Sequence, residues 1–242
     1  MRRINLPVIE PKGSEVRERA MSEVEKPPVF DEFDQAFWDD LYGSRPALWS
    51  GDPNHHLVAE VEGLVPGTAL DVGAGEGGDA IWLARRGWQV AAVDISTVAL
   101  ERATNRAARA GADVADRIEW LQHDVTEWAP PEARYDLVSA HFFHLPPTPR
   151  QVLLGRMASA VAPGGTLLVV GHQLHEHSHG PEEYFFTGDE IQGHLDPERW
   201  DIVTNTVAER AVTDAVAERV GADSDDHPAT TEDVVVRAHL RR

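Results

Sequence analysis

The sequence predicts an α/β fold in which a mostly parallel sheet of seven strands carries helices on both faces and an antiparallel pair of strands at one edge. Short apolar runs alternate with segments whose apolar residues recur at helical spacing, which is typical of parallel strands joined by crossover helices. The runs are apolar on both faces, as expected of strands that helices cover on both sides. A glycine-rich turn joins the first run directly to a helical segment, which adds a strand–turn–helix unit to the pattern.

The elements follow one another in a regular order. Five strands are predicted in the alternating region, at residues 69–72, 89–93, 118–122, 135–140 and 166–171. Helices are predicted between them at residues 79–86, 97–110 and 149–160. Gly164 and Gly165 are expected to reverse the chain before the fifth strand. Two further strands, at 201–208 and 233–240, have no crossover helix between them, which favours an antiparallel pair at the edge of the sheet. The acidic segment 221–228 is expected to be an exposed loop.

The N-terminal part of the chain differs in composition from the rest. Residues 1–28 are polar and contain four prolines, and they predict a flexible tail. Residues 29–242 are predicted to form a single domain, which is long enough to build a sizeable core. The first part of this domain, residues 29–64, contains helical patterns at 30–42 and 55–64 that are separated by a turn-rich segment.

Charge and composition limit the partners of the protein. Its formal net charge of −19 at pH 7 repels phosphate backbones and anionic lipids, so we expect a small-molecule substrate, with no nucleic acid and no membrane as partner. No apolar run approaches the roughly 20 residues that span a bilayer. No signal-peptide pattern is visible, so a cytoplasmic location is predicted. The chain has no cysteine, which excludes disulfides and thiolate metal sites. We expect a monomer or a homodimer.

The most informative segment is the turn after the first strand, Asp71-Val-Gly73-Ala-Gly75-Glu-Gly77-Gly78. Glycines allow backbone angles closed to other residues and remove the Cβ atoms that would block a ligand. The start of the following helix offers unpaired N–H groups and a partial positive charge. Such a turn is suited to hold a nucleotide-like molecule against the main chain.

Two classes of ligand fit this turn. Gly73, Gly75 and Gly78 match the G-x-G-x-x-G pattern of dinucleotide-binding proteins, which would predict a nicotinamide cofactor. Asp71 argues against this alternative, because a carboxylate two residues before the first glycine would face an anionic pyrophosphate. The carboxylate suits a ligand with a cationic amine, such as S-adenosylmethionine, which also carries a positive sulfonium.

At this turn the chain resembles the class I S-adenosylmethionine-dependent methyltransferases, whose first motif is an acidic residue followed by G-x-G-x-G. The matching residues are Asp71, Gly73, Gly75 and Gly77. The resemblance covers roughly residues 30–242, and the aromatic segment around Trp49 is similar to that of small-molecule methyltransferases of the thiopurine and tellurite-resistance type. It implies a Rossmann-like fold in which residues 29–64 form a lid, with S-adenosylmethionine as methyl donor and S-adenosylhomocysteine as product.

Further donor contacts are expected at the ends of the next two strands. Asp94 closes the second strand about 20 residues past the glycines, where a carboxylate can accept hydrogen bonds from ribose hydroxyls. The resemblance implies that Asp124 contacts the adenine amino group and that Val125 packs on the adenine ring. The residues assigned to donor binding are Trp49, Asp71, Gly73, Ala74, Gly75, Gly77, Asp94, Ile95, Asp124, Val125 and His141.

Two histidines are candidates for a general base, because imidazole titrates near neutral pH. The resemblance places His141, at the end of the fourth strand, beside the methionine part of the donor and the acceptor. Alternatively, His141 only lines the pocket or forms a hydrogen bond with the backbone. His172 follows the fifth strand and would serve the same purpose for a hydroxyl acceptor. Three more histidines follow it, but their spacing matches no specific metal site, so no metal is predicted. Trp49 either faces the sulfonium with its indole ring or packs in the core.

The sequence therefore predicts a methyltransferase that moves a methyl group to an O, N or S atom of a small molecule. One alternative is a module that binds S-adenosylmethionine without catalysis, as a sensor or a partner subunit. A second alternative is a nicotinamide-dependent oxidoreductase, against which Asp71 argues.

Overall fold

A computed structural model of the chain describes residues 34–143, 145–175, 181–211 and 230–242. The predicted tail at residues 1–28 and the predicted acidic loop at residues 221–228 lie outside these ranges, as do His177 and His179.

The described elements alternate as the sequence predicts. The helices are α1 (Gln35–Gly43), α2 (His55–Val61), α3 (Gly78–Arg85), α4 (Thr97–Ala110), α5 (Ala112–Ala115), α6 (Pro147–Ala160) and α7 (Gly188–Gly193), with a short 3₁₀ turn at Glu182–Tyr184. The strands are β1 (Thr68–Val72), β2 (Gln89–Asp94), β3 (Ile118–Gln122), β4 (Tyr135–His141), β5 (Val161–His172), β6 (Trp200–Ala211) and β7 (Thr230–Leu240).

Within the described residues, the seven strands form one sheet in the order β3-β2-β1-β4-β5-β7-β6. Every pairing from β3 to β5 is parallel, whereas β7 is antiparallel to both β5 and β6. The predicted α/β fold with an antiparallel pair at one edge is confirmed. Since β7 runs in the opposite direction, its first residues lie at the same edge of the sheet as the carboxyl ends of β1 to β5.

The core forms two layers, one on each face of the sheet. Alternate residues of β1 enter different layers: Leu70 packs with α6, and Ala69 packs with α2 and α3. The layer that contains α6 includes Leu154 and Met157, both almost fully buried. Helices on both faces explain why the strands are apolar throughout rather than alternating.

Polar caps position the helices around the carboxyl edge of the sheet. The Ser96 hydroxyl accepts a hydrogen bond from the Ala99 amide and thereby begins α4. The Asn54 side chain caps α2 in the same way, through the amides of His56 and Leu57. The Asn54 amide also donates to Asp79 in the first turn of α3, and the amides of Ser96 and Gly75 both donate to Asp94. These contacts tie both caps to the glycine-rich turn and the helix that follows it.

Helix α1 and strand β5 do not begin where the sequence predicts. Helix α1 begins at Gln35 because the side chain of Asp34 accepts a hydrogen bond from the Phe37 amide and caps it there. Strand β5 begins at Val161 rather than at Thr166, and the expected reversal at Gly164 and Gly165 is instead a bulge within β5. Gly164 has a φ of +85°, which lets the chain bulge without a break in the strand.

Candidate functional site

The glycine-rich turn lies at the carboxyl end of β1, between the strand and α3. Gly73, Gly75 and Gly77 have φ values of +75°, +53° and +80°, a left-handed region that favours glycine. Gly78 has no such angle and is the first residue of α3. The three left-handed glycines therefore follow the G-x-G-x-G spacing that begins two residues after Asp71.

The main chain at Gly73 is open to a ligand. A Cβ atom added there would meet no described residue within 4 Å, and Gly73 is exposed. The amides of Gly73 and Ala74 both donate hydrogen bonds to the Val93 carbonyl, at 2.8 Å and 2.9 Å. The turn is thus pinned to β2, and the space beside Gly73 forms a cradle that a side chain would fill.

Asp71 is a buried carboxylate that lacks a full set of partners. Its Oδ2 atom has no hydrogen-bond partner among the described residues. Burial and the negative charge of Asp79 raise the pKa of the Asp71 carboxyl to about 7, with Asp94 adding to the shift and His141 opposing it. A buried acceptor without a partner destabilises the protein until a ligand supplies a donor or a positive charge. A cationic amine fits this requirement.

Asp94 connects the turn to the start of α4. Its Oδ2 accepts a hydrogen bond from the Gly75 amide at 2.8 Å, and its Oδ1 accepts one from the Ser96 amide at 2.9 Å. Burial raises the pKa of Asp94, although the amides that donate to it oppose this shift. The remaining lone pairs of a carboxylate can still accept from ligand hydroxyls.

The other residues predicted for donor binding lie at the neighbouring strand ends. Ile95 follows β2 directly, and Asp124 and Val125 follow β3. One oxygen of Asp124 accepts hydrogen bonds from the amide and the hydroxyl of Thr126, so this acid also shapes its own turn. The fold therefore brings the ends of β1, β2 and β3 together as the sequence predicts; that these residues bind the donor stays a prediction.

The N-terminal segment, residues 35–54, covers the turn. The Trp49 indole N–H donates to the Tyr42 hydroxyl at 3.2 Å. Both side chains lie against Gly75, where a Cβ atom would be 3.0 Å from the Tyr42 oxygen and 3.8 Å from the Trp49 ring. Trp49 is 54% exposed and so is no core residue. Tyr42, which the sequence did not single out, is buried over the turn.

Glu76, between two of the glycines, fastens this N-terminal segment to the turn. Its Oε2 accepts hydrogen bonds from the Leu48 and Trp49 amides at 3.1 Å and 3.0 Å, and its Oε1 pairs with Arg102 at 2.9 Å. The Arg102 guanidinium also donates to the Arg45 carbonyl. Sequence analysis missed this role because Glu76 occupies a variable position of the motif, and its partners lie 26 to 28 residues away.

We expect Glu76→Gln to loosen the N-terminal segment, because an amide cannot accept at both ends as the carboxylate does. Loss of about 1.4 kcal/mol from this charge-assisted contact would raise the open population roughly tenfold. Chymotryptic cleavage after Trp49 in the native protein measures this opening. Glu62→Gln is the matched control, since Glu62 pairs with Arg86 at the same 2.9 Å on an exposed surface. Equal cleavage of all three proteins would contradict the role of Glu76.

His141 lies in a buried cluster with Asp71 and Asp79. Its Nδ1 is 2.6 Å from the Asp79 carboxylate, and its side chain is only 6% exposed. Burial alone would lower the pKa of His141, but the charge and hydrogen bond of Asp79 raise the pKa overall, with help from Asp71. The ligand atoms of the three residues lie within 4.8 Å of one another, so the cluster could also hold a cation, although no sequence pattern pointed to it.

His172 lies at the end of β5 in a second polar cluster. Its Nδ1 is 3.1 Å from Asp233, and its ring stacks on Phe142 with the centroids 4.3 Å apart. His56 and Arg210 contact the same carboxylate. Asp233, His56 and Arg210 were missed by sequence analysis, because no local motif links residues that lie up to 177 positions apart. His175, a few residues after β5, is exposed.

Comparison with known proteins relates the chain to methyltransferases. Residues 69–165 match the family model of the methyltransferase domain. Rv0089 of Mycobacterium tuberculosis, an uncharacterized methyltransferase, is 41% identical over 122 residues, which are 48% of this chain and 58% of that protein. The probable thiol methyltransferase 2 of Arabidopsis thaliana is 32% identical over 150 residues, 60% of this chain and 65% of that protein. Both matches span less than two thirds of the relatives' own length.

A solved structure extends the likeness beyond the matched domain. The glycopeptide N-methyltransferase MtfA, crystallised with S-adenosylmethionine, aligns with a TM-score of 0.55 over 76% of this chain and 91% of MtfA, at 21% sequence identity. The likeness concerns the fold. Among the described residues, no helix combines the length and the apolar character needed to cross a membrane.

Proposed function

We propose that the chain is a class I S-adenosylmethionine-dependent methyltransferase and that it transfers a methyl group from S-adenosylmethionine to an O, N or S atom of a small molecule. The observation that carries this proposal is the pairing of an open glycine cradle at Gly73 with the Oδ2 of Asp71, which has no hydrogen-bond partner in the part of the chain that the structure describes. A cationic amino acid group satisfies the carboxylate, whereas a pyrophosphate would be repelled by it.

The described residues fit the parts of the donor. In this proposal Asp71 and the backbone of Gly73, Ala74, Gly75 and Gly77 hold the amino acid end. Asp94 accepts from the ribose hydroxyls beside Ile95, and Asp124 with Val125 takes the adenine. Trp49 covers the donor from the N-terminal segment and, together with Tyr42, excludes water from Gly75.

Methyl transfer from a sulfonium requires little acid–base catalysis by the protein. When bound, the donor supplies a methyl group on a sulfonium, which is a good leaving system. The chain must align the acceptor and exclude water. Where the acceptor carries a proton, we assign its removal to His172 rather than to His141. The raised pKa of His141 favours its protonated form, which has no lone pair to accept a proton.

The acceptor is proposed to be a small molecule of the cytoplasm. The net charge of −19 disfavours nucleic acids. One protein that is similar in sequence is a probable thiol methyltransferase, and one that is similar in fold is a glycopeptide N-methyltransferase. The first assays should therefore include both sulfur and nitrogen acceptors.

Calorimetry with S-adenosylmethionine and NADH, followed by turnover assays, tests the proposal. We expect binding of S-adenosylmethionine, no binding of NADH, and release of S-adenosylhomocysteine with at least one acceptor among nitrobenzenethiol, phenol and aliphatic amines. Binding without turnover across a broad acceptor set would favour a sensor or partner module. Tight NADH binding without S-adenosylmethionine binding would overturn the proposal.

A further inference from the structure

A buried carboxylate at the start of β7 gathers basic side chains from three other elements. Asp233 is fully buried, and both His172 Nδ1 of β5 and His56 Nε2 of α2 lie 3.1 Å from it. Arg210 Nε of β6 lies 2.6 Å from the same carboxylate. The group thus joins the edge of the sheet beyond β4 to helix α2, which belongs to the predicted lid region.

The protonation state of Asp233 determines the tautomer of His172. Burial alone would raise the pKa of Asp233, but hydrogen bonds from His172, His56 and Arg210 hold it well below its ordinary value. An ionised carboxylate can only accept hydrogen bonds, so Nδ1 of His172 must carry a proton. In the neutral ring, the basic lone pair is then on Nε2.

The ring of His172 is also held by packing. It stacks on Phe142, the residue that follows β4, and the Arg210 guanidinium lies 5.2 Å from the same phenyl ring. Phe142 has a φ of +54°, which costs a bulky residue on the order of 1–2 kcal/mol. Strain of this kind persists where the surroundings impose it, and it is often found at functional sites.

We infer that Asp233 is a positioning residue that holds His172 as the general base for acceptors that arrive protonated, such as a neutral hydroxyl compound. This inference rests on the proposed function. The hydroxyl O–H bond breaks and its proton moves to Nε2 of His172, while the oxygen takes the methyl group and the electron pair of the broken sulfur–methyl bond stays on sulfur. Asp233 stabilises the resulting imidazolium, and Arg210 balances the carboxylate between turnovers.

A spectroscopic measurement tests the geometric part without any acceptor. The ¹⁵N shifts of His172, assigned by comparison with His172→Gln, should show the neutral ring protonated on Nδ1. In Asp233→Asn this preference should be lost. Asp233→Asn removes the negative charge that pairs with Arg210 and thereby destabilises the fold, so Asp233→Asn/Arg210→Gln provides a charge-balanced second variant. A His172 ring protonated on Nε2 in the unaltered protein would overturn the inference.

Kinetics with two acceptors separate proton removal from structural effects. Nitrobenzenethiol is ionised at neutral pH and needs no base, whereas phenol, like tyrosine, is protonated. In His172→Ala we expect kcat with phenol to fall about 100-fold more than kcat with nitrobenzenethiol. Added imidazole should restore part of the phenol rate. Equal losses with both acceptors would overturn the inference, while methylation of the thiol by the unaltered protein would still uphold the proposed function.

A double-mutant cycle tests whether the effect of Asp233 on catalysis depends on His172. Asp233→Asn should lower the phenol kcat at least tenfold in the unaltered background and have little further effect in His172→Ala. Additive losses would show that Asp233 serves only the fold. The control Asp201→Asn removes an exposed acid that pairs with Arg241, away from the cluster, and should leave both rates unchanged.

Discussion

Replacing Gly73 by alanine is expected to abolish most donor binding while leaving the fold intact. The added methyl group would occupy the open space beside the turn, where no atom of the described part of the chain lies within 4 Å of it. The main chain would keep its φ of +75° only at a cost of about 1–2 kcal/mol. We expect the Kd for S-adenosylmethionine to rise on the order of 100-fold, or about 2.7 kcal/mol, as measured by calorimetry.

Gly87→Ala is the control that distinguishes the effect of backbone strain from the effect of a methyl group that blocks the cradle. Gly87 has a φ of +95°, and among the described residues a Cβ there would meet only Pro66, at an ordinary contact distance of 3.8 Å. Both variants should therefore lose similar stability in thermal unfolding, and only Gly73→Ala should lose binding. If Gly73→Ala binds S-adenosylmethionine as tightly as Gly87→Ala does, the cradle is not the donor site.

The affinity of the protein for S-adenosylhomocysteine is expected to depend on pH through Asp71. The pKa of about 7 means that Asp71 is largely neutral below this pH and cannot attract the ligand's cationic amine. The Kd should therefore rise by up to roughly tenfold for each pH unit below 7. Asp71→Asn should bind 10- to 100-fold more weakly at pH 8, an order-of-magnitude expectation, and its Kd should change little with pH.

The stability of the ligand-free protein should respond in the opposite direction. Because the folded pKa of Asp71 lies above its unfolded value of 3.8, the folded state retains a proton that the unfolded state loses, and stability falls as pH rises from about 4 to 7. An asparagine at position 71 cannot ionise, so Asp71→Asn should not show this fall in stability. The variant should therefore be more thermally stable than the unaltered protein at pH 8, although it binds the ligand more weakly. A gain in stability with a loss of affinity marks a residue retained for function.

Other ionisable groups lie near Asp71, so the assignment of the pH-dependent Kd to Asp71 needs a control. Asp79, His141 and Asp94 all contribute to the field at Asp71. Asp136→Asn alters a carboxylate bound to Thr68 at the opposite end of β1, so its pH profile should match that of the unaltered protein. A pH-dependent Kd that survives in Asp71→Asn would assign the titration to another group.

Much of the architecture follows from local sequence patterns. The spacing of apolar residues placed α4 at residues 97–110, and the serine before it acts as the cap. The acid–glycine motif located the turn, since few other residues tolerate its three left-handed angles. The start of β5 was predicted wrongly because Gly164 and Gly165 signal a break, whereas pairing with β4 absorbs them as a bulge.

The sequence by itself determined the class of fold, the place of the glycine-rich turn and the acids at the ends of β1 and β2, because these depend on periodicity and on backbone angles within a few residues. Only the tertiary structure decided that Glu76 holds the N-terminal segment, that His141 is buried between carboxylates, and that His172 shares Asp233 with His56 and Arg210. Those contacts join residues far apart in the chain, and their geometry arises when β5, β6, β7 and α2 pack together.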